Sequence, residues 1–176
     1  MSSIENDARL YKAVMDGNMS RAKAALEAGA NVDGSRILPC APILAATIAN
    51  YVGIVDLLLQ QMADPDKPIT EVLPHPCPSP DYAITIPGER ALHLAARSGN
   101  VEIVRLLLKR SRADPNATDN KGCTPLIATC RSSHVYQNVV RLLVKAGADP
   151  ALANKNGLTP LHVVAFRGHV DLVDML

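Results

Sequence analysis

The sequence predicts an all-α repeat solenoid, and three observations carry that expectation. First, leucine-rich triplets recur: Ala24-Ala25-Leu26, Leu57-Leu58-Leu59, Leu106-Leu107-Leu108 and Leu142-Leu143-Val144, their last residues spaced by 33, 49 and 36. A period of roughly 20–50 residues marks a repeat architecture. Each triplet leads through a short spacer into Ala30-Asn31-Val32, Ala63-Asp64-Pro65, Ala113-Asp114-Pro115 or Ala148-Asp149-Pro150. Second, Gly88, Gly122 and Gly157 keep the same phase, spaced by 34 and 35. Third, the helices delimited by these landmarks are only about 8–10 residues long, too short to persist alone in water, so their apolar faces must be buried against neighbouring copies.

Taken in order, about five helix-turn-helix units are expected within one domain spanning 1–176, at approximately 4–33, 34–66, 84–117, 118–151 and 152–176. The first is divergent and polar: Arg21, Lys23 and Glu27 alternate with Ala22, Ala25 and Leu26, as a terminal unit requires on its outer side, and Arg9 stands where other copies have proline. The second begins at Ala41-Pro42-Ile43. From Ala41 to Leu59 its only charge is Asp56, which imitates a membrane span, but Pro42, Asn50 and Gly53 interrupt the run.

The third unit carries Ala91-Leu92-His93-Leu94-Ala95-Ala96 with Gly99-Asn100, and Arg90 occupies its helix-capping position. Its basic end, Lys109-Arg110-Ser111-Arg112, suits a helix C-terminus, where cations complement the macrodipole. In the fourth and fifth units Thr124-Pro125 and Thr159-Pro160 start helices, threonine as cap and proline at the first helical position. Gly29 and Gly147 stop the leucine-rich helices through a positive φ, and Asp-Pro then forbids continuation. Extra residues at Ser133–Asn138 distort the turn of the fourth unit. The fifth stops at Met175-Leu176, inside its leucine segment, with the next leucine position phased at 177, so the chain is expected to be the N-terminal part of a longer protein.

Residues 67–87 form a long insert between the second and third units, holding Pro68, Pro74, Pro76, Pro78, Pro80 and Pro87. Ile69-Thr70-Glu71-Val72-Leu73 and Tyr82-Ala83-Ile84-Thr85-Ile86 flank the proline tract with strand composition, which predicts an elongated hairpin finger with a stiff tip; a disordered loop is the alternative. Val72, Leu73, His75 and Tyr82 are its candidate contact residues. Prolines at alternate positions leave no P-x-x-P spacing within 74–80, and Ser79-Pro80 is a candidate phosphorylation site.

Thr159-Pro160-Leu161-His162 with Gly168-His169, the third unit's Ala91–Ala96 and Thr124-Pro125-Leu126 resemble the ankyrin repeat, whose pattern runs T-P-L-H-x-A-A, G-H, I-V-x-L-L-L and G-A-D-P/V-N. The resemblance implies β-hairpin-like fingers and a concave face, built from finger tips and the ends of first helices, on which partners lie. It implies a structural hydrogen bond for His93 and His162. Carried over unit by unit, the partner-facing positions are Cys40 and Ile48; Glu89, Arg97 and Ser98; Asn120, Lys121, Cys123, Arg131 and Ser132; and Lys155, Asn156, Leu158, Phe166 and Arg167. Arg97, Arg131 and Arg167, or its neighbour Phe166, would line up about 10 Å apart across successive units, a basic strip beside an exposed aromatic anchor. Ala41, Leu44, Thr47 and Arg90 depart from the family pattern.

Composition narrows the function. Eighteen Lys and Arg against seventeen Asp and Glu leave a net charge of +1, no field for holding nucleic acid or an anionic membrane. Four Tyr, one Phe and no Trp give few stacking platforms. Cys40, Cys77, Cys123 and Cys130 form no C-x-x-C pair and the N-terminus has no signal-peptide pattern, so reduced thiols and an intracellular setting, cytoplasmic or nuclear, are expected. His75 and Cys77 are two ligands short of a tetrahedral metal site, Ser132-Ser133-His134 has no orienting acid, and no catalytic or cofactor motif occurs. The expectation is a non-enzymatic, cofactor-free, monomeric protein-interaction module, a scaffold or substrate-recruiting adaptor. A row of arginines suits an acidic or phosphorylated partner segment, with the insert as a second contact. The alternative is a regulatory arm of a larger enzyme such as a kinase or ubiquitin ligase; nucleic-acid binding along the arginines is disfavoured by the charge balance.

Overall fold

Several helices start and stop where local chemistry dictates. The Thr124 hydroxyl accepts the Ile127 N–H and the Thr159 hydroxyl that of His162, with proline following each cap. Asn18 and Asn100 cap second helices in the same way, accepting from the N–H groups of Arg21 and Ile103. Gly29 and Gly147 follow helix ends at φ of 87° and 92°. The computed structural model describes residues 3–35, 38–70, 86–111, 113–132, 134 and 136–176. Within them lie α1 (Ser3–Met15), α2 (Met19–Glu27), α3 (Pro42–Ile48), α4 (Val52–Gln60), α5 (Ala91–Arg97), α6 (Val101–Arg110), α7 (Pro125–Cys130), α8 (Gln137–Lys145), α9 (Pro160–Arg167) and a 3₁₀ helix, Val170–Met175.

The helices pair in chain order and stack in two layers. First helices α1, α3, α5, α7 and α9 each pack on the next, and second helices α2, α4, α6, α8 and the 3₁₀ segment do likewise. One continuous core runs between the layers, with Leu10, Ile43, Leu58, Leu92, Leu107 and Ile127 fully buried in it. Burial of each such side chain contributes about 1.5–3 kcal/mol, which is what helices of six to thirteen residues need in order to persist. The apolar run Ala41–Leu59 is split into α3 and α4 by Asn50 at φ 61°, and among the described residues no helix is long and apolar enough to cross a membrane. On the outer side of the first unit, α2 buries only Ala22 and Ala25, leaving Arg21, Lys23 and Glu27 exposed.

Two polar ladders register the stack. At the unit exits a side-chain oxygen accepts the backbone N–H of the next exit: Asp33 from Asp64 at 2.8 Å, Asp66 from Asp114 at 3.4 Å and Asn116 from Asp149 at 2.8 Å. The second of these links joins the units on either side of the insert, so the exit ladder is continuous across it. Its base is closed where the Ile69 N–H donates to Glu89 O and the Gly88 N–H donates to Ile69 O, both 2.8 Å. The expected hairpin finger and its contacts Val72, Leu73, His75 and Tyr82 lie outside the described residues.

The fingers join tip to tip: the Asn120 N–H donates to Pro87 O and the Lys155 N–H to Lys121 O, both 3.0 Å. Among the described residues they form no strand. Each is a hairpin-like turn closed by a backbone bond of its own, from the Asp119 N–H to Cys123 O at 3.0 Å and from the Asn154 N–H to Leu158 O at 2.9 Å. The last second helix differs from expectation. It winds as a 3₁₀ helix that packs on α8 and α9 and buries Leu172 alone, with Val170 73% exposed.

Candidate functional site

The concave face is built from the finger turns upward. Asp119 Oδ1 accepts the N–H groups of Lys121 and Cys123, both at 2.8 Å, and Asn154 Oδ1 accepts those of Asn156 at 2.9 Å and Leu158 at 3.1 Å. These bonds fold Asp119-Asn120-Lys121-Gly122 and Asn154-Lys155-Asn156-Gly157 into the same turn and leave the Asn120, Lys121, Lys155 and Asn156 side chains exposed. Asp119 and Asn154 thus orient the site, and the repeated Asp/Asn-x-x-Gly spacing is the sequence signal for them.

Glu89 does not meet solvent as the sequence expectation required. Its side chain is 1% exposed, Oε2 accepts the Ile86 N–H at 2.9 Å and lies 3.2 Å from Arg97 Nη2. Burial raises its pKa above 4.5, against the lowering influence of Arg97 and of the Ile86 bond. Glu89 is therefore an internal anchor for Arg97, which is itself only 22% exposed. Cys123 is corrected likewise: it is buried, its Sγ 3.6 Å from Arg131 Nη1 and 3.7 Å from Asn154 Nδ2. Ile48 is buried in the core and Cys40 half-buried. The Ser98 hydroxyl donates to Ala95 O and closes the end of α5, and Ser132 is engaged by the residues after it.

What remains open to solvent is basic. Arg97, Lys121, Arg131 and Arg167 line a pocket of about 250 Å³ together with Glu89, Asp119, Cys123 and Ala128. Among the described residues ion pairs join Arg21 to Asp16, Arg97 to Glu89 and Arg110 to Asp56; Lys121, Arg131 and Arg167 have no carboxylate at that distance. An adjoining pocket of about 600 Å³ shares Arg131 and Arg167 and is lined further by Asn156, Leu158, Val163 and Phe166. Phe166 is 92% exposed. Among the described residues no three His, Cys, Asp or Glu side chains are grouped to hold a metal, and the buried Cys130 thiol is pushed up to about 12 by desolvation, which makes it inert.

Position of the fingers depends on His93. Its ring is fully buried; Nδ1 accepts the Arg90 N–H at 3.3 Å, which puts the proton on Nε2, 3.0 Å from Cys123 O. This is a bond from α5 to the next finger. The expected cap residue Arg90 has no acceptor atom, and instead donates from Nε to Asp66 O at 3.0 Å and from Nη1 to Thr118 O at 2.7 Å, tying three units together. Desolvation lowers the His93 pKa from 6.5 to about 4, outweighing the bond to Cys123 O. On acidification the unfolded chain takes up this proton first, so stability is lost as pH falls from about 6.5 towards about 4, by roughly 3 kcal/mol in all. His93→Gln, whose side chain can still accept the Arg90 N–H, is expected to flatten that part of the profile in urea titrations; an unchanged slope would refute the assignment.

A family model described as ankyrin repeats (3 copies) matches residues 69–154 and 92–176. Among curated proteins the chain is similar to the E3 ubiquitin-protein ligase HACE1 of Xenopus tropicalis, 40% identical over 77 residues that cover 44% of this chain and 8% of that protein. The human HACE1 is 38% identical over 77 residues, again 44% of this chain and 8% of that protein. Alpha-latroinsectotoxin-Lt1a of Latrodectus tredecimguttatus is 31% identical over 106 residues, 60% of this chain and 6% of the toxin. The aligned part of the chain spans less than a tenth of the length of these relatives.

Proposed function

The chain belongs to the ankyrin-repeat family, a protein-interaction module, and we propose that it binds an acidic or phosphorylated segment of a partner protein along its concave groove. The observation that carries this reading is the pair Arg131 and Arg167, which line one pocket with no carboxylate of their own while Arg97 is held by Glu89. A guanidinium forms two parallel bonds to a carboxylate or phosphate, so an acidic side chain fits what the groove leaves unsatisfied. Arg131 and Arg167 stand at the ends of α7 and α9, and the stacked helices hold them in place beforehand, which lowers the entropy lost on binding. The role is non-catalytic: a scaffold or substrate-recruiting adaptor, with the proline-rich insert as a second contact. Asn120, Lys121, Lys155 and Asn156 are the polar rim of that groove.

The similarity to E3 ubiquitin-protein ligase HACE1 is consistent with a second reading, in which these repeats are the regulatory arm of a larger enzyme such as a ubiquitin ligase. Both readings place recognition on the same face. The test is affinity capture with three baits: the wild-type chain, Arg131→Glu/Arg167→Glu, and a deletion of 71–84. Arg97 stays unaltered because a glutamate there would face buried Glu89. The double reversal is expected to lose the wild-type partners with an unchanged melting profile, and wild-type capture is expected to weaken as salt screens the groove. Partners retained by the double reversal but lost by the deletion would move the site to the insert. Ligase components among the captured proteins would support the second reading.

A further inference from the structure

We propose that the groove reads a two-part segment, one acidic side chain and one bulky apolar side chain about three residues apart, seated on either side of Arg131 and Arg167. This rests on the groove reading above and adds the apolar half. The two pockets share those arginines: one is lined by Lys121, the other by Val163 and Phe166. In the first, Glu89 is paired with Arg97, and Asp119 is buried with Oδ1 holding two backbone N–H groups, so cations dominate what a ligand meets.

Phe166 is the chain's one phenylalanine, and it is 92% exposed. Its position in the repeat explains where it points. Counted from the caps Arg90, Thr124 and Thr159, the seventh residue is Arg97, Arg131 and Phe166. Arg97 and Arg131 stay on the groove in the interior of the stack, whereas Leu92 and His93, the counterparts of Leu161 and His162, are buried there by the following unit. Inside the stack, then, the following unit covers the positions that Leu161 and His162 occupy in the fifth unit, where Leu161 is 47% exposed, and leaves the column that ends at Phe166 open. That column reads Arg, Arg, Phe, and with successive units about 10 Å apart an extended strand at about 3.4 Å per residue reaches from one step to the next in three residues. Arginine and aromatic side chains at the centre of a groove are the groups that dominate binding energy.

The probe is a displayed library of random dodecapeptides, selected on the full chain with counter-selection on Arg131→Glu/Arg167→Glu; selected peptides are then synthesised and titrated by fluorescence anisotropy. Selection is expected to enrich Asp or Glu about three residues from Leu, Ile, Phe or Met. Phe166→Ala is expected to weaken binding about tenfold, and the double reversal about thirtyfold or more. Exchanging the acidic residue for phosphoserine distinguishes a preference for phosphate from one for carboxylate, and asparagine should abolish binding. Acidic peptides indifferent to Phe166→Ala would overturn the two-part inference and leave the groove reading standing. Peptides indifferent to both variants, or an empty selection on a chain with intact circular dichroism, would overturn both. Sedimentation showing a dimer that Phe166→Ala dissolves would assign the aromatic to a second copy and overturn the inference.

Discussion

Replacing Arg97 with alanine is expected to lower the stability of the folded chain by about 3 kcal/mol at neutral pH, the low end of what removing one partner of a buried ion pair costs. Arg97 is 22% exposed, but its partner Glu89 is 1% exposed and keeps only the Ile86 N–H once the guanidinium is gone. The carboxyl's pKa, already above 4.5 through burial, must then climb further. In the pH interval between 4.5 and the folded-state pKa, the folded chain holds a proton that the unfolded chain has released, so stability declines as pH rises through it. The deficit of Arg97→Ala relative to wild type should therefore be largest at neutral pH and shrink on acidification. A second change, Glu89→Gln, should recover most of the loss, because the amide can accept the Ile86 N–H without a charge to satisfy. A deficit independent of pH and unrelieved by Glu89→Gln would show that lost packing, not the unpaired buried carboxylate charge, is responsible. The same pair bears on recognition: Arg97 is a neutralised member of the arginine strip, which leaves Arg131 and Arg167 as the cations that a ligand meets.

This pairing is also where sequence reading reached its limit. The repeat phase was legible because it resides in residues whose backbone chemistry is local: Thr124 and Thr159 cap the helices that follow them, and Gly29 and Gly147 take the positive φ that ends the helices before them. Arg131, Phe166 and Arg167 were legible as groove-lining residues because the repeat fixes which helix positions face the fingers. Glu89 was not. A glutamate at a finger position reads as exposed, and its burial depends on Arg97, one helix along, and on the Ile86 N–H at the foot of the insert. Cys123 and Ile48 were misplaced for a related reason: the repeat pattern gives position along a unit, while burial is decided by the neighbouring unit. Arg90 shows the converse. As a substitute for a capping threonine it read as a departure, yet its guanidinium spans from Asp66 O to Thr118 O across the point where the insert leaves the stack.

The second large effect is expected at Gly88, where two costs coincide. Its φ of 87° is one that alanine adopts only at about 1–2 kcal/mol, and a Cβ there would stand 2.5 Å from the Asn120 backbone nitrogen. That nitrogen donates to Pro87 O at 3.0 Å, the one backbone bond among the described residues that joins the tip of the third finger to that of the fourth. Relief of the clash requires the fingers to part and the bond to break, so Gly88→Ala should cost about 2–4 kcal/mol in total. Gly29 and Gly147 provide the control, since their φ values of 87° and 92° are as unfavourable for alanine but an added Cβ meets nothing within 4 Å. Alanine at either should cost only that conformational part, about 1–2 kcal/mol. Equal losses at all three positions in urea unfolding would mean that backbone conformation alone matters and that the finger contact contributes nothing. An excess confined to Gly88 would give the contact its energy. Because the finger that it holds also carries Lys121 into the basic pocket, Gly88→Ala should weaken acidic-peptide binding as well, at a temperature where the chain remains folded. Gly29→Ala, at the far end of the stack, should leave that affinity unchanged, which separates positioning of the groove from stability at large.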